Sequence, residues 1–343
     1  MIRALSIIFF MAFILMGILW PITPVHGIHM VNNGLLIVVT FPSLVNDIEQ
    51  LISNDDHVIS IVPPGTDPHE YQLTISDIEI LQKADIIIST GHTSFENRIR
   101  ELVNNGEIKA VLIEIPKIND MKILNNPATG LPNLHMPIYD PINYITFINN
   151  ITETIQKLRP TLANTYNANR LSIISKIAYL LASAPRIYLE AVADKPLTQY
   201  AVSWLGIEIR YLIIKEPGVP ATPSDLSIIR NEMVKGHINL AIVTEPAIDV
   251  SSQQLIDMAN EYNITILYVP SPLSNATIID KLTNIASQIT DPIKYYESLY
   301  KGSCMIEENS LRGYGHLVVG GIVIASITTF IAYIVLRRRE EIV

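Results

Sequence analysis

The sequence is short of the residues that most often announce a function. It has one cysteine, Cys304, so neither a disulfide framework nor a thiolate metal site can be built from it. Charged residues make up 17% of the 343, below the roughly 25% of an average globular chain. The net charge is −9 and no basic stripe is present, which argues against nucleic acid as a partner. A G-x-S-x-G elbow, a P-loop, an H-E-x-x-H helix and a G-x-G-x-x-G turn are all missing. Catalytic readings therefore have little support, and no organic cofactor is expected.

Part of the charge deficit sits in two apolar segments. Arg3 precedes an uncharged run from Ala4 to Leu19, the pattern of a secretory signal. Val25 and Gly27 are small enough to precede a cleavage point near Ile28. An uncleaved anchor is the alternative, although a span needs about 20 residues. No cysteine follows the run, so a lipid anchor of the bacterial N-terminal type is excluded. Leu317 to Leu336 also carries no charge and is long enough to span a bilayer. Arg337, Arg338 and Arg339 follow it, which by the positive-inside rule makes that end cytoplasmic. The expected topology is a single C-terminal membrane helix with the body outside the cytoplasm.

Between these ends, β-branched runs alternate with helical patterns. Leu35–Thr40, Val58–Val62, Ile86–Thr90 and Val111–Ile113 read as strands, and Ser43–Ser53 and Ser76–Lys83 as helices. Ser76 with Glu79 forms a capping-box signature. From Asp140-Pro141 a helical spacing of isoleucines and leucines runs to about Ala184, with Pro160 placed to kink or split it. The strand–helix rhythm then returns through Ile187–Val192, Ile207–Ile214, Leu240–Val243 and Ile264–Val269. The expected fold is α/β: two doubly wound lobes joined by a long rigid helix, with a cleft between them. The expected boundaries are 1–27 for the signal or N-terminal membrane segment and 28–139 for the N-lobe. The linking helix takes 140–184, the C-lobe 185–300, the stalk 301–316, the membrane helix 317–336 and the tail 337–343.

In doubly wound lobes ligands bind beyond the carboxyl ends of strands. Asp67-Pro68-His69-Glu70-Tyr71 follows such a strand, and Pro68 stiffens the loop that presents His69. Imidazole is the commonest ligand for borderline metals. Pro63-Pro64-Gly65-Thr66-Asp67-Pro68-His69-Glu70-Tyr71 resembles the hallmark loop of the zinc/manganese group of ABC-transporter solute-binding proteins. Ala84–Ile88, Gly91 with Glu96, Asn133-Leu134-His135 before Asp140-Pro141, Tyr166–Asn169, Val243–Pro246 and Pro272-Leu273 resemble the family's later segments, in order.

That resemblance implies a metal held in the cleft by two N-lobe histidines and two C-lobe side chains. His69 and His135 match the histidines, although one extra residue separates His135 from Asp140-Pro141. The C-lobe departs from the pattern: Lys195 and Ser271 stand at the two ligand places. Glu190, Asp194 and Glu245 are the nearby carboxylates expected to substitute. His92 follows a strand and is assigned to the rim of the cleft, with a role as an unusual ligand as the alternative. The implied cargo is a divalent transition metal, zinc or manganese. The implied partners are an ABC permease and its ATPase, with the body itself monomeric. The alternative is a scaffold with a degenerate metal site that serves as a surface interaction or structural protein.

Overall fold

The computed structural model describes residues 34–289. The expected signal segment, Cys304, the expected stalk and membrane helix, and Arg337 to Arg339 lie outside the described residues. No helix among the described residues is long and apolar enough to cross a membrane.

The first lobe carries a parallel four-stranded sheet of β1 (Leu36–Val39), β2 (His57–Ser60), β3 (Ile86–Ser89) and β4 (Val111–Glu114), in the order β2-β1-β3-β4. Ile37 pairs with Val58 on one side and Ile86 on the other. The central strands are apolar on both faces because both are covered, the usual condition of a parallel sheet. Ile37, Val39, Ile86 and Ile88 face one core, and Val38 and Ile87 face a second. The second lobe repeats the plan with β5 (Leu189–Ala193), β6 (Ile207–Leu212), β9 (Leu240–Glu245) and β10 (Thr265–Pro270), in the order β10-β9-β5-β6. An antiparallel hairpin of β7 (Ile214–Glu216) and β8 (Val219–Pro220) follows β6. In each sheet the chain turns outward in both directions from its first strand, so a crevice opens beside the carboxyl end of that strand.

Helices α1 (Val45–Glu49), α2 (Ile75–Leu81) and α3 (Ser94–Asn104) serve the first lobe. The capping box of α2 uses Thr74 and Asp77 rather than Ser76 and Glu79. Thr74 holds the extended backbone a cap needs, whereas Ser76 already lies inside the helix.

Of the two outcomes expected at Pro160, a kink or a split, the linking segment shows the split. Arg159, forced out of helical geometry by the proline after it, has φ −131° and ψ 70°. Helix α4 (Pro141–Leu158) ends there, Pro160–Leu162 forms a 3-10 turn, and α5 (Ala163–Ser183) runs back along α4. The reversal is fixed by Gln156 Nε2 donating to Ala163 O at 3.0 Å and Arg170 Nη1 to Asn149 Oδ1 at 2.9 Å. Helix α5 alone carries the chain to the second lobe. Tyr166 Oη donates to Asp56 at 2.8 Å, and Asn169 Nδ2 donates to the carbonyls of Leu51 and Ile52. The tyrosine–asparagine pair thereby fastens α5 to the first lobe.

The lobes share one continuous core, which includes Ile37 and Ile88 from the first, Tyr144 and Phe147 from α4, and Ile242 and Leu267 from the second. Helices α6 (Thr198–Ser203), α7 (Pro223–Val234), α8 (Val250–Glu261) and α9 (Ile278–Ser287) complete the second lobe. A buried polar contact crosses between lobes: Asp47 of α1 accepts from Tyr144 Oη at 2.6 Å and from the Ile278 N–H at 3.1 Å. Burial pushes the Asp47 carboxyl up to about 6, against the opposing pull of those bonds and of Lys281. Burial likewise pushes Lys281 down to about 8.

Candidate metal centre

Three histidines converge where the carboxyl ends of the first sheet meet the second lobe. His69, His92 and His135 each offer a ring nitrogen, and these atoms all lie within 4.8 Å of one another. The ring centroids are 5.0 Å apart for His92 and His135, 5.4 Å for His69 and His92, and 6.0 Å for His69 and His135. No other such group of histidine, cysteine, aspartate or glutamate occurs among the described residues.

His69 is held by the residue two before it. Asp67 Oδ1 accepts from the His69 backbone N–H at 2.9 Å and lies 3.1 Å from Nδ1. The loop is closed by α2, whose cap Asp77 also accepts from Tyr71 Oη at 2.7 Å.

His92 sits on a turn that glycine makes possible. Gly91 has φ +74°, and a Cβ there would lie 3.3 Å from Pro116. Buried Glu96 then gathers the turn: it accepts from the N–H groups of Thr90, His92 and Thr93 and from the hydroxyls of Thr40, Ser89, Thr90 and Thr93. Burial alone would raise the Glu96 pKa, but these donors and His92 carry it below the ordinary value, so Glu96 is ionised. The Phe41 ring stacks on His92 at 5.9 Å.

His135 is delivered by a strap tied to the second lobe. Its N–H donates to Asn133 Oδ1 at 3.0 Å. Asn133 Nδ2 in turn donates to Pro196 O and Gln199 Oε1, while Tyr200 Oη donates to Asn133 O at 2.7 Å. Between His135 and α4, Met136 takes a left-handed φ of 54° and Pro137–Tyr139 makes a 3-10 turn. The ring reaches Glu216 of β7, with Nε2 3.1 Å from Oε2.

The hydrogen-bond partners assign the tautomers. Asp67 and Glu216 are carboxylates and accept, so His69 carries its proton on Nδ1 and His135 on Nε2. Thr90 commits its hydroxyl proton to Glu96, so its oxygen accepts from His92 Nδ1 at 2.9 Å. The remaining nitrogens, His69 Nε2, His92 Nε2 and His135 Nδ1, make no hydrogen bond among the described residues. Burial pushes the His92 pKa down to about 4 and lowers that of His135, which keeps both imidazoles neutral at pH 7. Three imidazoles, each with one ring nitrogen held by a hydrogen bond, form a donor set suited to a borderline metal. A tetrahedral ion at about 2.0–2.1 Å needs ligand nitrogens about 3.3 Å apart. His69, with 37% of its side chain exposed, has the most freedom to close that gap.

The structure brings together two of the expected residues, His69 and His135, and moves His92 from rim to centre. It leaves the three carboxylates outside the group. Glu190 lies near the amino end of β5, away from the crevice, and binds Arg210 at 2.7 Å. Asp194 is fully buried and its oxygens are consumed by Thr244 N, Thr244 Oγ1 and Ser252 Oγ. Glu245 is exposed at the end of β9, and its carboxylate does not reach the histidines. Lys195 pairs with Asp249, and Lys281 pins the 271–274 loop through the carbonyls of Pro272 and Ser274. The signal for His92 was available, since it follows β3 at the carboxyl end. Glu216 had none, because its approach depends on a hairpin remote in sequence.

Fold and site together define a two-lobed α/β binding protein with a nitrogen-donor centre beside the interlobe contact. The chain belongs to the ZnuA family, described as zinc-uptake complex component A, periplasmic, whose model matches residues 37–291. It is 27% identical over 282 residues to the iron-binding protein YfeA of Yersinia pestis, covering 82% of each chain. It is 23% identical to the manganese ABC transporter substrate-binding lipoprotein PsaA of Streptococcus pneumoniae, over 59% of this chain and 69% of that one. Its fold resembles that of the solute-binding protein FpvC of Pseudomonas aeruginosa in complex with Mn2+. There the TM-score is 0.61 at 18% identity, covering 78% of this chain and 99% of the other.

Proposed function

We propose that this protein captures a divalent transition metal outside the cytoplasm and hands it to the permease of an ABC importer driven by its ATPase. The observation that carries the reading is the trio His69, His92 and His135, each offering one ring nitrogen within 4.8 Å of those of the other two. Family membership supports the transport role. The donor set supports zinc over manganese, because imidazole suits zinc whereas manganese favours carboxylate and water oxygens. The expected carboxylates Glu190, Asp194 and Glu245 have no part in this set. The uncharged 317–336 segment and the three arginines after it support a C-terminal tether with the body outside. A receptor that delivers by docking is suited to such a tether, and one body per tether needs no oligomer.

Titration calorimetry on the chelator-stripped chain tests this. Zinc should bind with a one-to-one stoichiometry and more tightly than manganese. Heat from neither metal would refute the reading and favour the second one, a scaffold that has given up transport. The Lys195–Asp249 ion pair at a family ligand place is the observation on that side.

A further inference from the structure

We infer that the second lobe sets metal affinity through a strap: Tyr200 of α6 is a positioning residue that clamps residues 122–135 and so holds His135 against His69 and His92. The inference rests on the metal-binding reading above and extends it to a side chain outside the donor set. The three histidines are anchored differently. The His69 loop closes on α2, and the donors that gather the His92 turn around Glu96 all belong to the first lobe. His135 instead ends a strap whose two limbs are paired with each other. There the Asn126 N–H donates to Leu131 O and the Asn133 N–H to Leu124 O, both at 2.8 Å.

Tyr200 spans both limbs. Its hydroxyl donates to Asn133 O at 2.7 Å and accepts from the Leu124 N–H at 2.9 Å. Both directions are fixed, because a carbonyl only accepts and a backbone N–H only donates. Tyr200 is fully buried, and burial pushes its phenol up to about 12, so it keeps the proton it donates. The clamp reaches His135 through one residue. Asn133, itself buried, has its carbonyl held by Tyr200 and its side-chain oxygen bonded by the His135 N–H at 3.0 Å. Further ties run the same way: Asn133 Nδ2 donates to Pro196 O and Gln199 Oε1, Gln199 Nε2 to Asn125 O at 2.9 Å, and Asn126 Nδ2 to Lys215 O at 2.7 Å. No second-lobe side chain joins the group of mutually close ligand atoms among the described residues, yet that lobe decides where the third ligand stands.

A double-mutant cycle tests this on the purified, chelator-stripped full chain, with zinc affinity read by competition with a chromophoric chelator. Tyr200→Phe keeps the buried ring and removes both strap bonds at once. It should weaken zinc binding about tenfold, the low end of the loss typical of groups that stand behind ligands. If Tyr200 acts through His135, that loss has nothing to act on once the histidine is gone. Y200F/H135A should therefore bind zinc as H135A does, whereas Y200F/H92A should bind about tenfold more weakly than H92A. A general loosening of the fold would weaken all three backgrounds alike. Gln199→Ala repeats the test at a half-buried position outside the core, should Y200F fail to fold. It should weaken binding about 2–10-fold in the wild type and not at all in H135A. Wild-type affinity in Y200F overturns the inference and leaves the transport reading intact, and so does an equal loss in the wild-type and H135A backgrounds. A wild-type chain that binds no zinc brings down both readings together.

Discussion

Replacing His92 with alanine removes one of three nitrogen donors from the proposed centre, whose group of mutually close ligand atoms includes no carboxylate among the described residues. Loss of a ligand should cost at least as much as the 10–100-fold typical of groups that merely orient ligands, so a hundredfold loss is a conservative figure. A metal that binds only the folded state stabilises it by about 2.7 kcal/mol at a hundredfold excess over its dissociation constant. At the same zinc concentration the weakened variant would sit near its own dissociation constant and gain only about 0.4 kcal/mol. For a chain of this size each kcal/mol moves the melting temperature by about 1.5–2 °C. Zinc should therefore raise the wild-type Tm by about 4–5 °C and that of H92A by less than about 1 °C. Scanning calorimetry on chelator-stripped protein reads this directly. His57 and His237 lie outside the centre, and alanine at either should leave the zinc shift intact. A full zinc shift in H92A would refute the argument and return His92 to the rim.

Other consequences follow from the same contacts. Gly91→Ala forces a side chain into a φ of +74° against Pro116, which should cost about 1–3 kcal/mol in urea unfolding and weaken zinc binding as His92 shifts. Unchanged stability and affinity would contradict the role given to this turn. Asp56→Ala strands the buried Arg159 guanidinium and should cost about 3–5 kcal/mol, whereas exposed Asp55→Ala should cost less than about 0.5 kcal/mol. The His92 pKa is depressed in the folded protein, so its stabilising contribution is complete above pH 6.5 and is lost as pH falls through about 4. The loss amounts to about 3 kcal/mol in metal-free protein, and His92→Phe, which keeps the stack on Phe41, should show a correspondingly smaller drop between pH 7 and pH 4. Equal drops in the two proteins would contradict the assignment.

Both parallel sheets are legible in the sequence because buried strands such as Leu36–Val39 and Ile86–Ser89 are continuous apolar runs bounded by turns. His69 is legible for a similar reason, since its stiff loop is a local feature. What the sequence conceals is set by tertiary contact. Pro160 marks a break, but only the packing of α5 on α4 decides that the chain reverses there. Asp194 and Glu190 look available in sequence, yet one is consumed by Thr244 and Ser252 and the other by Arg210. His92 looks peripheral until Gly91 and Glu96 turn it inward beside His135. Glu216 meets His135 only because Asn126 anchors the β7–β8 hairpin.

X-ray absorption at the zinc edge of the loaded protein reads the donor set itself. Three imidazoles should appear as nitrogen scatterers at about 2.0–2.1 Å with the outer-shell pattern of histidine rings. The H92A protein should lose one of the three. A shell dominated by carboxylate oxygen, or one with the same number of imidazoles in wild type and H92A, would contradict a centre built from His69, His92 and His135.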